Sequence, residues 1–102
     1  MAERSAQADR QSGEWMKRED ERILEYLDEN GLSSSRLISN EAFEKVSPGH
    51  VSERLGLLKY AGLVTRTGLT SYELTDAGRR YLAGDLDAAH QPRPNARRVL
   101  QG

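Results

Sequence analysis

With 102 residues and no cysteine, the chain has room for one small core and cannot brace it with disulfides or thiolate metal sites. Hydrophobic residues make up 36% and aromatics 6%, so the core has to be compact and built mainly from Leu, Val and Ile. The net charge is −1, and neither a secretory signal nor an apolar run of membrane-spanning length occurs, which predicts a cytoplasmic protein with no membrane partner.

Residues 1–13 are rich in Ala, Ser, Gln, Asp and Arg without periodicity and are expected to be disordered. A single domain is expected over 14–86, opening at Trp15, the only tryptophan. A first helix is predicted from Lys17 to Asn30, with Ile23, Leu24 and Leu27 as its buried stripe and Gly31 as its stop. Leu32 is expected to add a short strand to a later hairpin. A second helix, Ser35 to Glu44, carries Leu37, Ile38, Ala42 and Phe43 as its apolar residues.

The stretch Val46–Val64 has the grammar of a helix built for presentation. Ser47 is a good N-cap and Pro48 stands at the first helical position, where its missing N–H costs nothing. Val51, Leu55 and Leu58 form a narrow apolar stripe, and Gly62 supplies a left-handed stop that lets Leu63 pack back. Two short strands, 63–66 and 71–74, flank Thr67-Gly68-Leu69-Thr70. Thr75 then caps a fourth helix to about Ala83, and the Pro-containing tail 87–102 is expected to be disordered.

A capped helix followed by a small hairpin is the second half of a winged helix-turn-helix. The fold class predicted is therefore mainly α with a small β-hairpin: a three-helix core, a wing and a fourth helix. Double-stranded DNA is the partner this implies. Charge distribution agrees: Lys17–Asn30 has three basic and six acidic residues, whereas Gly31–Gly84 has seven basic against five acidic. An acidic first helix and a near-neutral total instead suit the alternative, a winged-helix module for protein–protein contact without a DNA role.

In a helix-turn-helix, the N-terminal residues of the second helix reach base edges in the major groove. With about 100° per residue and Val51 at the centre of the buried face, His50, Ser52 and Glu53 are the candidates for reading bases. Ser35, Arg36, Arg54, Lys59, Arg66 and Thr67 are the candidates for holding the DNA backbone. Trp15, Tyr81, Leu82 and Leu86 offer apolar surface for a homodimer. The two histidines, His50 and His90, lack companions for a metal site, and no phosphate loop, HExxH or nucleophile elbow occurs. No enzyme activity, metal or cofactor is predicted. With no second domain in which to house one, no small-molecule effector is expected either.

Trp15-Met16, Val46-Ser47, Val51-Ser52, Leu55, Gly62-Leu63, Tyr72-Glu73-Leu74-Thr75-Asp76-Ala77-Gly78 and Tyr81-Leu82 carry a family resemblance. Over 15–86 the chain resembles the small winged helix-turn-helix transcriptional regulators of haloarchaea, similar to the repressor of halovirus phi-H. The resemblance implies a sequence-specific DNA-binding repressor acting as a homodimer. The chain departs from it at Gly56-Leu57, where relatives are polar, and at Glu53, an acid on the reading face.

The stripe makes Leu55 a core residue. Leu55→Ala is expected to lower unfolding stability by about 2–5 kcal/mol in urea titration; a variant as stable as the parent would show that the helix phase is wrong.

Overall fold

A computed structural model of the chain describes residues 10–94, and the expectations for 1–9 and 95–102 lie outside the described residues. Helix α1 (Arg18–Asn30) buries Ile23, Leu24 and Leu27 and ends at Gly31, whose φ of 78° is left-handed. Strand β1 (Ser33–Ser34) follows and leads into α2 (Ser35–Ala42), which the Ser34 side chain caps by accepting the Leu37 N–H. Helix α3 (Pro48–Tyr60) starts as the sequence dictates, with Ser47 Oγ accepting the His50 N–H at 3.1 Å. Strands β2 (Val64–Thr67) and β3 (Ser71–Leu74) form the wing, and Thr75 caps α4 (Asp76–Leu82).

The sheet order is β1-β3-β2, all antiparallel, with Arg66 opposite Tyr72 and Ser33 on its other side. The third strand forms one residue later than expected. Ser33 and Ser34 do the pairing, while Leu32 stays 51% exposed. Leu37 is likewise outside the core, 40% exposed, because Ile38 faces inward and Ala42, four residues on, packs at the core's edge. Phe43 does not continue that helix but terminates it in extended conformation, half-buried at the edge of the core.

Leu63 and Thr75 join the wing to α4 at one point. Gly62 closes α3 with φ 84°, its N–H on Lys59 O while the Leu63 N–H reaches Leu58 O. Thr75 donates its hydroxyl to Gly62 O at 2.7 Å and its amide to Leu63 O at 3.1 Å, and its Oγ1 accepts the Gly78 N–H.

Contacts of the described fold reach past both expected ends, 14 and 86, into residues 10–13 and 87–94. Gln11 and Asp87 form a parallel bridge, Ala88 N–H donates to Gln11 O, and a 3-10 turn (Ala88–His90) buries Ala88. Gln91 donates to Ala61 O at the end of α3, and Pro94 is buried. Arg10 reaches Glu21, Glu25 and the Leu82 carbonyl at 2.7–3.0 Å. These segments lack periodicity because they are held by individual polar contacts, not by an apolar stripe.

Gly78 sits so close beneath the start of β2 that a Cβ would strike the Leu63 carbonyl and stand 2.6 Å from Leu74 Cδ1. Helix propensity alone favours alanine there by about 1 kcal/mol. Gly78→Ala is nevertheless expected to lower stability by about 1–3 kcal/mol, as overpacking does, seen as a reduced urea midpoint; an unchanged or higher midpoint would refute the close approach.

Candidate nucleic-acid interface

Helix α3 buries Val51, Arg54, Leu55, Leu57 and Leu58. At about 100° per residue this arc centres roughly 30° away from Val51, on the side of Arg54 and Leu58. The opposite face carries Ser52, Glu53, Lys59 and Tyr60, all exposed, together with Gly49 and Gly56. The wing lies next in the chain, with Thr65, Arg66, Thr67, Gly68, Leu69 and Thr70 exposed.

Arg54 is not available to a phosphate. Its Nε and Nη2 donate to the two oxygens of Asp20 at 2.8 and 2.7 Å, and Nη2 also donates to Trp15 O. Asp20 is fully buried, and its Oδ2 also accepts the Lys17 N–H at the start of α1. The Asp20 hydrogen bonds hold the Arg54 guanidinium charged more firmly than usual, against the opposing effect of burial. A cation on the inner side of α3 thus serves to join α3 to α1.

His50, in the first turn of α3, also turns toward α1. Its Nε2 lies 3.3 Å from Glu19 Oε2, with both side chains about one-third exposed. Glu19 is held below the usual carboxylate range, first by its own backbone N–H and then by His50, despite some burial. Of the base-reading candidates, Ser52 and Glu53 point outward without intramolecular partners among the described residues, and His50 stands at the flank with one nitrogen engaged.

The backbone candidates divide. Arg36 and Lys59 are exposed, while Ser35, at the start of α2, is half-buried. In the wing, Thr67 is exposed, and Arg66 donates through Nε and Nη2 to the Leu69 carbonyl, so the arginine braces the wing tip it belongs to. The dimer candidates differ in burial. Tyr81 is fully buried and Leu82 is 7% exposed, both in the core of the protomer, and Trp15 and Leu86 are half-buried against that core. Tyr81 reads as a surface aromatic in the sequence because its hydroxyl needs a polar partner. Ser12 and Glu21 supply one inside the fold, and burial with the Glu21 hydrogen bond pushes the phenol well above its ordinary pKa.

Asp20 and Glu19, which support α3 from α1, are the residues that sequence reasoning missed. Their type and place in the first turn of a helix read as dipole partners. The available signal was Arg54 itself, a cation phased at the edge of an apolar stripe, which requires a buried acid nearby. A groove of about 710 Å³ runs beside α1, over Met16, Phe43 and Val46, but none of the outward α3 side chains lines it. No cluster of three or more metal-ligating side chains occurs among the described residues, and no described helix is long and apolar enough to cross a membrane.

A family model described as winged helix-turn-helix phage repressor matches residues 10–91, a span that includes both Arg10 and Gln91 of the terminal contacts. The crystal structure of the PhiH1 repressor-like protein from Haloarcula marismortui is similar, with 34% sequence identity and a TM-score of 0.77, over 83% of this chain and 97% of that one. No curated protein matches.

Removing one member of a buried ion pair strands the other. Arg54→Met is expected to lower stability by about 3–5 kcal/mol, and the double variant Asp20→Asn/Arg54→Met to recover part of it. Urea unfolding of the two variants checks this; equal stability of parent and Arg54→Met would return Arg54 to the list of free cations.

Proposed function

Because the chain belongs to the winged helix-turn-helix phage repressor family, we propose that it is a sequence-specific DNA-binding repressor. It reads the major groove with the outward face of α3 and meets the sugar-phosphate backbone with the wing. The observation that carries this reading is the outward face of α3, beside a two-stranded wing exposed over 65–70, in a domain that the repressor family matches over 10–91. That helix is firmly seated, capped at Ser47 and joined to α1 through Arg54, so its outer side chains are displayed on a rigid element. The family is a regulator type, and the reading is regulatory and not catalytic.

Ser52, Glu53 and His50 take the base edges in this reading. Arg36, Lys59, Arg66 and Thr67 take phosphates, and Ser35 presents the N-terminus of α2 to one. One helix of this size covers only a few base pairs, so two copies on half-sites about one DNA turn apart are needed for useful specificity. The homodimer this requires uses surface other than Tyr81 and Leu82, which the protomer core consumes. The haloarchaeal neighbour supports an archaeal cytoplasmic setting.

Fragments selected from random duplex DNA provide the test. Affinity should fall steeply with salt through counterion release, and Lys59→Ala or Arg36→Ala should each flatten that slope by about one unit. Ser52→Ala should leave the slope alone and relax preference at one position by about 1–3 kcal/mol. Failure to bind any duplex at low salt would overturn the reading in favour of a protein-contact module.

A further inference from the structure

The first two turns of α3 present an unusual set of polar groups for a DNA reader. Between Pro48 and Leu58 the only arginine is Arg54, and it is spent on Asp20. Lys59 starts only in the last turn. The polar side chains left on or beside the reading face are His50, Ser52 and Glu53. Glu53 is exposed and forms no hydrogen bond or ion pair among the described residues, and a carboxylate only accepts. Ser52 can accept as well as donate.

His50 falls in line with them because of its neighbour on α1. Its Nε2 faces a Glu19 carboxylate oxygen at 3.3 Å, and an ionised carboxylate only accepts, so of the two neutral tautomers the Nε2–H form is the one that makes this hydrogen bond. Nδ1 has no partner among the described residues, and in the neutral ring it holds a free lone pair. Glu19 is itself well placed to fix the ring. The next residue, Asp20, is the one locked to Arg54, one turn further along α3 than His50, so the two consecutive acids of α1 engage two successive turns of α3.

We propose, on the premise of the DNA-reading function above, that the reading edge of α3 is composed of acceptors and selects the exocyclic amines of cytosine and adenine, with Glu19 as the positioning residue that turns His50 into one of those acceptors. In the major groove cytosine N4 and adenine N6 are donors, whereas guanine O6 and N7 and thymine O4 are acceptors. An edge of lone pairs is satisfied by the amino bases and repelled by the keto bases. This edge works opposite to the common arginine–guanine contact, and it gives Glu53 a purpose next to a polyanion.

Modified duplexes test this on the full chain. In a duplex selected from random DNA, cytosine is replaced by 2-pyrimidinone and adenine by purine, each lacking only the exocyclic amine. Guanine is replaced in parallel by 7-deazaguanine, which lacks the N7 acceptor. Amine removal at one or more positions of a half-site is expected to weaken binding about tenfold or more, and 7-deazaguanine to change it by less than about twofold. Glu53→Ala and His50→Ala should each abolish the penalty at one position. The reverse pattern, with 7-deazaguanine costly and amine removal harmless, overturns the acceptor edge while leaving DNA binding intact. Absence of binding to every duplex overturns the DNA-reading premise itself. The role of Glu19 is read without DNA, from imidazole nitrogen shifts of His50 at about pH 8, above the ordinary histidine range. An Nε2–H tautomer in the parent that becomes a mixture in Glu19→Ala is expected. An imidazolium, an Nδ1–H tautomer, or the same ring state in both proteins overturns it.

Discussion

Everything presented on the surface of this domain depends on one ion pair beneath it. Asp20 and Arg54 lie 34 residues apart, are almost wholly removed from water, and meet through two parallel hydrogen bonds. Two charges taken out of water gain little net stability even when well paired. They do gain definition, because the fork of the guanidinium meets a carboxylate well in one geometry. The pair therefore fixes how α3 lies on α1, more narrowly than the apolar contacts of Val51, Leu55 and Leu58 do. Asp20 adds a third bond, to the Lys17 amide, so the same carboxylate starts α1 and holds α3.

A second constraint works on the wing. The Gly62-Leu63 stop of α3 and the Thr75–Gly78 start of α4 look like two unrelated local signals, and each is explicable by itself as a cap. In the fold they are two sides of one contact, with Thr75 bonded to both Gly62 and Leu63 and Gly78 pressed under Leu63. The hairpin between them leaves from and returns to a single anchored point. Arg66, bonded to Leu69 at the tip, stiffens the far end. A wing of two four-residue strands thus has both ends defined.

What could be read from the chain alone follows this division between local and distant causes. The caps at Ser47 and Thr75, the glycine stops at Gly31 and Gly62 and the stripe on α3 are written within a turn or two of where they act, and all were legible. Leu32 and Leu37 were misjudged by a residue or a face, since a two-residue strand and an eight-residue helix carry too little periodicity to set their phase. The roles of Asp20, Glu19 and Tyr81 were hidden because each is decided by a partner from another helix: Arg54, His50 and Glu21 respectively. As for the candidate site, Ser52 and Glu53 followed directly from helix phase. The fate of Arg54 required the partner 34 residues away.

The bridge between Gln11 and Asp87 makes the described chain a nearly closed loop. Its helix-turn-helix occupies the middle of that loop, and its two ends are fastened to each other. Closing so long a loop carries an entropic cost that grows only with the logarithm of its length, and a few hydrogen bonds, among them Ala88 N–H to Gln11 O and Arg10 to Leu82 O, offset it. One consequence concerns the order of assembly. Contacts within α2, α3 and the wing join near neighbours in sequence and can form early, whereas the terminal seam joins the most distant residues and has to wait for them. The seam is also thinly apolar, which places it among the segments that open first while the middle of the chain stays intact.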